Sequence, residues 1–299
     1  MTLYLPETDC LLQSDVSLAP YTSLRVGGRA QWYVEPKNSE QLQDSLQWAK
    51  QEQLPVTFLG GGSNLLISDR GLSGLVISAR QFRKLDINEE TAQITALAGT
   101  PLVTVAWKAA KRGWSGLEWA VGIPGTVGGS VVMNAGAHGA SMENVLVKVI
   151  LATANGTLEE VSPDALNFRY RTSDLQSHPR WVMGATFQLH PGYSRDKVLE
   201  QTRANLNQRR TTQPYDKPSC GSVFRNPEEK AAAWLIEQTG LKGFQVGDAQ
   251  VAHRHANFIL NQGQATAYDI YNVMQHVQEK VEQEWSILLH PEVKLLGEF

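Results

Sequence analysis

A run of glycines and other small residues, GLEWAVGIPGTVGGSVVMNAGAHG at positions 116–139, limits what this chain can fold into more than any other stretch. After Gly116, its glycines stand at Gly122, Gly125, Gly128, Gly129, Gly136 and Gly139. A backbone with so little side-chain bulk suits close approach to a large planar or diphosphate ligand. The apolar residues Ile123, Val127 and Met133 argue against a solvated, flexible loop. We therefore expect an ordered segment that wraps around a bound ligand.

A second glycine-rich segment, LGGGSN at 59–64, follows a predicted buried strand. Three consecutive glycines allow backbone N–H groups to converge on an anion, and Ser63 and Asn64 add side-chain donors. The segment is neither a Walker loop nor a GxGxxG helix opening, so a plain turn is the alternative to phosphate binding. Because the two segments lie about 60 residues apart, we expect one extended cofactor to be held by both.

The bulk composition excludes several classes of protein. The length of 299 residues favours two domains and allows three small ones. A net charge of −3 gives no basic excess for binding nucleic acid. The two cysteines, Cys10 and Cys220, form no CxxC, so we expect neither a disulfide framework nor a zinc site. The chain shows no signal peptide and no long apolar run, which predicts a cytoplasmic protein without membrane insertion.

Hydrophobic periodicity and turn residues predict alternating strands and helices from about residue 20 to 78. The pattern changes over about 79–190, where strands, one helix and the long glycine-rich stretch follow one another, and it becomes mainly helical beyond that. The predicted helices are 38–50, 102–113, 197–210, 228–240 and 266–285. Ser39 is expected to cap the first of them, and Pro101 is expected to take the first helical position of the second. The predicted strands are Gln31–Val34, 55–60, 74–78, 94–98, a hairpin over 147–162 with Asn155-Gly156 as its turn, 180–190 and 292–298. These patterns place domain boundaries near residues 78 and 190.

Several charged residues are candidates for a site. Arg169 and Arg171 would share a face in a strand, whereas in a turn only one would point inward; a solvated pair is the alternative. Arginine suits bidentate recognition of a carboxylate. Glu292 begins the terminal strand. His253 and His255 have no clustered carboxylate or cysteine, so we expect no metal site.

The stretch PSCGSVFRNP at 218–227 offers two reactive atoms, the thiol of Cys220 and the hydroxyl of Ser222. A catalytic cysteine needs a histidine or another cation to lower its pKa, and no such partner is identifiable nearby in the sequence. We therefore predict a packing role for Cys220.

Seven motifs occur in series: LRVGGRA (24–30), LGGGSNLL (59–66), GIPGTVGGSVVMNAGAHG (122–139), YRTS (170–173), PSCGSVFRNP (218–227), HANFILN (255–261) and HPEVKLLGE (290–298). Together they make residues 17–299 resemble the UDP-N-acetylenolpyruvoylglucosamine reductases, flavin enzymes of peptidoglycan precursor synthesis. The resemblance implies an α+β fold with FAD as cofactor and NADPH as co-substrate. It further implies an FAD-binding region of the vanillyl-alcohol-oxidase (PCMH) type in two subdomains, 1–78 and 79–190, and a substrate-binding domain over 191–299.

The resemblance also assigns site residues. It implies Ser222 as general acid, with Arg171 and Glu292 as the other catalytic residues. The cofactor-binding residues that it implies are Gly60, Gly61, Gly62, Ser63, Asn64, Gly122, Pro124, Gly125, Thr126, Gly129, Asn134, Ala135 and Gly136. The substrate-binding residues that it implies are Asn226, Arg209, Arg210 and Lys217. The last three are candidates for the UDP diphosphate because Thr212 stands where the family commonly has a lysine. The run 190–210 is too short for the extra tyrosine loop of some members.

The implied chemistry requires these residue types. Hydride delivery to the terminal carbon of the enolpyruvyl C=C bond leaves charge beside the carboxylate, which Arg171 and a protonated Glu292 would stabilise. A serine hydroxyl is a competent acid toward such a basic carbon. A flavin-dependent alcohol or sugar oxidase and a non-catalytic binder of flavin or UDP-sugar are the alternatives. The expected partners are a small UDP-sugar and NADPH, and the expected state is a monomer.

Overall fold

The structure is a computed structural model that describes residues 2–5, 8–154, 156–178 and 180–299. Its strands are β1 (Thr2–Tyr4), β2 (Leu11–Ser17), β3 (Arg29–Val34), β4 (Val56–Leu59), β5 (Leu65–Ile67), β6 (Leu72–Ser78), β7 (Leu85–Asn88), β8 (Gln93–Leu97), β9 (Gly136–Ala137), β10 (Ala140–Ser141), β11 (Leu146–Thr153), β12 (Leu158–Val161), β13 (Arg180–Gln188), β14 (Gln245–Val246), β15 (Ala249–Val251), β16 (Ile259–Asn261) and β17 (Lys294–Leu296). Its α-helices are α1 (Ser39–Gln51), α2 (Leu102–Ala110), α3 (Val127–Val132), α4 (Arg195–Thr212), α5 (Ala232–Gln238) and α6 (Ala267–Trp285). Short 3-10 helices lie at Ala19–Tyr21, Ala79–Gln81, Glu118–Gly122, Met142–Asn144, Pro163–Leu166 and Asp174–Gln176.

The chain divides into two compact units, each made of three separate stretches. Unit 1 comprises Met1–Ser14, Trp32–Gly61 and Gly74–Arg209. Unit 2 comprises Asp15–Gln31, Gly62–Ser73 and Arg210–Phe299. The division therefore falls within β2, β3 and β6, and helix α4 belongs to unit 1 as far as Arg209. The three-part division predicted from the sequence remains a prediction.

The first part of unit 1 is built on a sheet in the order β1-β2-β3-β6-β4, in which β4 and β6 run parallel. Helix α1 buries Leu42, Leu46 and Ala49 in the associated apolar core, as the helical spacing predicts. The predicted cap is wrong by one residue: Asn38 accepts the N–H of Gln41 at 2.9 Å, so it takes the capping position in place of Ser39.

The second part of unit 1 is an antiparallel sheet in the order β12-β11-β13-β8-β7, against which α2 and α3 pack. The hairpin of β11 and β12 forms as predicted, although Asn155 of its turn lies outside the described residues. Pro101 precedes α2 as its N-cap, with an extended ψ of 130°, so its prediction as the first helical residue is wrong.

Unit 2 contains the antiparallel sheet β14-β15-β16, covered by α6. The stripe predicted on α6 is buried at Ile270, Val273, Met274, Val277 and Val281. Helix α5 is shorter than predicted and begins at Ala232. Strand β17 pairs in parallel with β5. This pairing joins the stretch of unit 2 that contains Asn64 to the stretch that contains Glu292.

Candidate functional site

Within unit 1, residues 60–61 of the first glycine-rich segment lie against residues 125–126 of the second. A Cβ atom on Gly60 would stand 2.8 Å from Oγ1 of Thr126, and one on Gly61 would stand 2.8 Å from Cα of Gly125. Both distances are shorter than real side chains tolerate. Glycine at 60 and 61 is therefore needed for the loop after β4 to reach the start of α3.

Thr126 and Gly129, at the start of α3, show features that packing within the protein does not explain. Oγ1 of Thr126 is buried and finds no hydrogen-bond partner anywhere in the described part of the chain. A buried hydroxyl without a partner costs free energy, which a ligand accepting or donating a hydrogen bond there would recover. A Cβ on Gly129 would meet only this same Oγ1, at 3.9 Å, so Gly129 borders open space. The residues present thus fit a cofactor seated at the start of α3.

The segment after α3 uses its polar groups within unit 1. Asn134 is 1% exposed and has a φ of +41°; its Nδ2 donates to Oε1 of Glu143 at 3.1 Å and to the carbonyl of Arg169 at 3.0 Å. Both backbone groups of Ala135 are bonded to protein, to Ser130 and Met142. Direct cofactor contacts by Asn134, Ala135 and Gly136 stay a prediction, and the structure shows Asn134 supporting the turn that carries Arg171.

Arg171 lies at the tip of a tight turn closed by mutual hydrogen bonds between Arg169 and Thr172. Its φ of +54° is uncommon for a residue with a side chain, a feature that often marks functional sites. The guanidinium donates to the carbonyl of Gly136 at 2.7 Å and lies 5.1 Å from the ring centre of Tyr170. The turn leaves Arg169 exposed and Arg171 half-buried, so only one of the two arginines turns inward.

Arg209, which is predicted to bind the substrate, contacts Gly122 in the segment that is predicted to bind the cofactor. Its Nε donates to the carbonyl of Gly122 at 3.1 Å, and a Cβ on Gly122 would collide with its side chain at 2.4 Å. Gly122 is therefore required by this contact. Pro124, in the same segment, is exposed.

In unit 2, the residues that follow the glycine run support the strand of Glu292. Gly62 adopts a φ of +66°, and a Cβ there would stand 1.9 Å from the carbonyl oxygen of Tyr21. Nδ2 of Asn64 donates to the carbonyl of Glu292 at 3.1 Å, and its own carbonyl accepts the N–H of Lys294 at 3.0 Å. Ser63, beside it, is half-buried. The polar groups of Asn64 thus fix the backbone around Glu292.

The structure brings Ser222 and Glu292 together through the backbone of Val223. The carbonyl of Val223 accepts the N–H of Glu292 at 2.7 Å, and Phe224 forms an antiparallel bridge with Pro291. Ser222 is half-buried, and its hydroxyl makes no hydrogen bond to any described residue. Gly221 has a φ of +82°, and a Cβ added to it would meet no atom within 4 Å, so open space adjoins the serine.

The other predicted substrate residues lie at the surface of unit 2. Oδ1 of Asn226 accepts the N–H of Ala232 at 3.0 Å and so supports the start of α5. Nζ of Lys217 donates to the carbonyl of Gln262 at 3.3 Å, and Arg210 is exposed. Substrate contacts by these three side chains stay a prediction.

Cys220 is a packing residue, as the sequence predicts. It is 5% exposed and lies in the apolar core of unit 2. Burial raises the pKa of its thiol from 9.0 to about 12, and the negative charge of Glu292 contributes to the rise. Burial likewise raises the pKa of Cys10 to about 11. Neither thiol is therefore a nucleophile near neutral pH.

We expect a disulfide reagent such as dithionitrobenzoate to leave both thiols of the native protein unreacted at about pH 8.5 and to label both after unfolding. Because the folded pKa values lie above the unfolded value, the stability contributed by the protonated thiols is complete below pH 9.0 and declines as pH rises toward 12. Reagent absorbance with and without urea measures the first effect. Rapid native labelling would contradict it.

Two further features concern the described residues. No group of three or more histidine, cysteine, aspartate or glutamate side chains is arranged to hold a metal ion. Across the same residues, every helix is too short or too polar to cross a membrane.

Sequence reasoning missed two residues that support the site. Nε2 of Gln176 donates to the carbonyls of Val132 and Arg171, at 3.0 and 3.1 Å, and ties the arginine turn to the end of α3. Asn257 bonds the backbone that follows Ser222. Asn257 falls inside the HANFILN motif, where a polar residue among apolar neighbours was the available signal.

Two family models match parts of the chain. A family model described as "UDP-N-acetylenolpyruvoylglucosamine reductase, C-terminal domain" matches residues 213–296, and one described as "FAD binding domain" matches residues 30–162.

Curated relatives match over nearly the whole chain. A UDP-N-acetylenolpyruvoylglucosamine reductase from Acaryochloris marina is 55% identical over 298 residues, which cover 100% of this chain and 97% of the relative. One from Synechocystis is 54% identical over 294 residues, covering 98% and 93%. A crystal structure of a UDP-N-acetylenolpyruvylglucosamine reductase from Thermus caldophilus is 33% identical with a TM-score of 0.84, covering 96% of this chain and 100% of that one.

Proposed function

The chain belongs to the UDP-N-acetylenolpyruvoylglucosamine reductase family, and we propose that it uses NADPH to reduce the enolpyruvyl C=C bond of UDP-N-acetylglucosamine enolpyruvate. Membership makes it an oxidoreductase of peptidoglycan precursor synthesis with an α+β fold and an FAD-binding domain. The product of the proposed reaction is UDP-N-acetylmuramate. One observation carries the proposal: the N–H of Glu292 donates to the carbonyl of Val223, which holds Glu292 close to Ser222, and open space lies at the neighbouring Gly221.

The residues suited to hold FAD are those at the start of α3 and in the loop after β4. Thr126 offers a buried hydroxyl without a partner among the described residues. Gly60 and Gly61 allow the loop after β4 to lie close to Thr126, and Gly129 borders open space where a ligand could approach. When bound, FAD supplies the two-electron chemistry, accepting hydride from NADPH and passing hydride to the terminal carbon of the substrate.

Addition of hydride moves the electron pair of the C=C bond onto the carbon beside the carboxylate. We assign stabilisation of this charge to Arg171 and to the carboxylic acid form of Glu292. A donor aimed at developing charge contributes about 3–4 kcal/mol to lowering the barrier. The hydrogen bond to Gly136 and the tight turn hold the Arg171 side chain in one place before substrate arrives. The backbone of Glu292 is fixed by Asn64 and Val223.

The proton that completes the reduction comes, in this proposal, from Ser222 Oγ. Its hydroxyl is not engaged by any described side chain or backbone group, so it is available to the substrate. Transfer to the carbanion-like carbon leaves a serine alkoxide, which water reprotonates. A serine is a poor acid in water but is competent toward such a basic carbon. The thiol of Cys220 is not needed.

Substrate binding is assigned to Asn226, whose Oδ1 supports α5, and to the basic residues Arg209, Arg210 and Lys217 for the diphosphate. Arginine and lysine are the residues that commonly bind phosphate oxygens. Cytoplasmic location and a monomeric state also belong to the proposal. Size-exclusion chromatography with light scattering measures the second.

One assay tests the function. Purified protein is expected to be yellow and to consume NADPH, followed at 340 nm, only when UDP-N-acetylglucosamine enolpyruvate is present, with one product molecule per NADPH. Absence of substrate-dependent consumption would overturn the proposal. Covalently retained flavin with oxygen consumption on an alcohol or sugar would point to an oxidase, and tight ligand binding without NADPH oxidation to a non-catalytic binder.

A further inference from the structure

Asn257 makes the most complete set of hydrogen bonds to the backbone that follows Ser222. Its side chain is 3% exposed. Oδ1 accepts the N–H of Phe224 at 2.9 Å, and Nδ2 donates to the carbonyl of the same residue at 2.8 Å. The backbone carbonyl of Asn257 accepts the N–H of Val223 at 2.9 Å. Two consecutive residues after the serine are therefore held from one side by a single residue.

The other side of this segment is held by the chain around Glu292. The carbonyl of Val223 accepts the N–H of Glu292, and the N–H of Arg225 donates to the carbonyl of His290 at 2.9 Å. A carboxamide carries the same donor and acceptor as a peptide group. The side chain of Asn257 thus replaces the neighbouring strand that Phe224 lacks, and the segment lies between Asn257 and the strand of Glu292.

We propose that Asn257 is a positioning residue that fixes the backbone carrying the Ser222 hydroxyl relative to the strand of Glu292. The inference rests on the proposed role of Ser222 as proton donor. Gly221, on the N-terminal side of the serine, contributes no side chain, and open space adjoins it. Because Oγ of Ser222 makes no hydrogen bond to a described residue, the backbone is what sets the position of Cβ, from which the hydroxyl extends in one of three staggered rotamers. That backbone is fixed on its C-terminal side by Asn257.

The test is Asn257→Asp, which has nearly the same shape. It keeps an acceptor for the N–H of Phe224 but places a carboxylate oxygen against the Phe224 carbonyl in place of a donor. We expect rapid-mixing measurements to show oxidation of the reduced enzyme by substrate slowed roughly tenfold to a hundredfold. Reduction of the flavin by NADPH should stay within about twofold, because that step needs no proton from Ser222.

Asn261→Asp is the matched control. Asn261 is also 3% exposed, and its side chain bonds the backbone of Leu24, Gly263 and Ala265 and not the residues that follow the serine. It should lower the melting temperature about as much as Asn257→Asp while leaving both half-reactions within about threefold. Equal slowing by the two variants would overturn the inference, because it would show a general effect of a buried carboxylate. Asn257→Ser, with room for a water molecule, provides a second variant if Asn257→Asp does not fold; normal oxidation in it would also overturn the inference.

A double-mutant cycle separates this inference from the function on which it rests. In a Ser222→Ala background, Asn257→Asp is expected to cause less than about a twofold further loss, because the positioned group is gone. If Ser222→Ala itself is fully active, the proposed proton donor is wrong. If Ser222→Ala is impaired but Asn257→Asp causes its full loss in both backgrounds, only the positioning role is wrong.

Discussion

Replacement of Ser222 by alanine is expected to slow conversion of substrate by the reduced enzyme roughly a thousandfold or more, since the variant lacks the proposed acid. Reduction of the flavin by NADPH should remain within about twofold of the unaltered protein, because hydride transfer to the cofactor requires no proton from this residue. Stopped-flow absorbance at 450 nm, recorded separately for the two half-reactions, makes the measurement. The expected result is a stable reduced enzyme that substrate reoxidises very slowly.

Cys220→Ala is the control for this experiment. Cys220 lies two residues before the serine but in the apolar core, and its thiol is protonated at neutral pH. The change removes one buried sulfur atom, so we expect a loss of about 1–2 kcal/mol in the free energy of unfolding. Oxidation by substrate should stay within about threefold. Normal oxidation in Ser222→Ala, or a greater loss in Cys220→Ala, would contradict the assignment of the acid to Ser222.

Thr126→Val is expected to raise the free energy of unfolding of the cofactor-free protein and to lower its affinity for FAD. Oγ1 of Thr126 is buried and without a hydrogen-bond partner in the described residues, so a methyl group should stabilise the cofactor-free fold by about 1 kcal/mol. If the hydroxyl serves FAD, its loss should raise the dissociation constant roughly tenfold or more. Thermal unfolding of cofactor-free protein and quenching of FAD fluorescence on titration measure the two effects.

The matched control is Thr100→Val. Thr100 is 4% exposed, and its hydroxyl donates to the carbonyl of Lys84 at 3.1 Å. Because that hydrogen bond is lost, Thr100→Val should destabilise the cofactor-free protein by about 1 kcal/mol and leave FAD affinity nearly unchanged. An unchanged FAD affinity in Thr126→Val would show that the unpartnered hydroxyl does not serve the cofactor.

Much of the fold follows from local patterns. The stripe on α6 and the apolar spacing on α1 predict those helices because one face of each meets the core. Strands β8, β11 and β13 are similarly marked by short apolar runs between turn residues. Helix α3 was not predicted, because VGGSVV has low helix propensity. It forms in this structure with Val127 and Val131 fully buried, a tertiary effect that no local pattern shows.

The site was predictable in residue type but not in the contacts that hold it. The motifs indicate Ser222 and Glu292, yet the two are connected by a backbone hydrogen bond between Val223 and Glu292, which are far apart in the sequence. The strand that follows Glu292 is held by β5, from which it is separated by most of the chain. Cofactor binding by Asn64 stays a prediction, and the contacts of its Nδ2 and carbonyl with the strand of Glu292 were not predictable from the sequence. Buried asparagines such as Asn257 satisfy backbone groups that are distant in sequence, so the pattern around them gives no partner.

The most direct test of the central claim is a single turnover without oxygen. The protein is reduced with one equivalent of NADPH and then mixed with UDP-N-acetylglucosamine enolpyruvate, while absorbance at 450 nm and the product mass are followed. The proposed function predicts rapid return of the oxidised flavin spectrum with one UDP-N-acetylmuramate formed per flavin. A flavin that stays reduced in the presence of substrate would contradict the claim that this chain is the reductase.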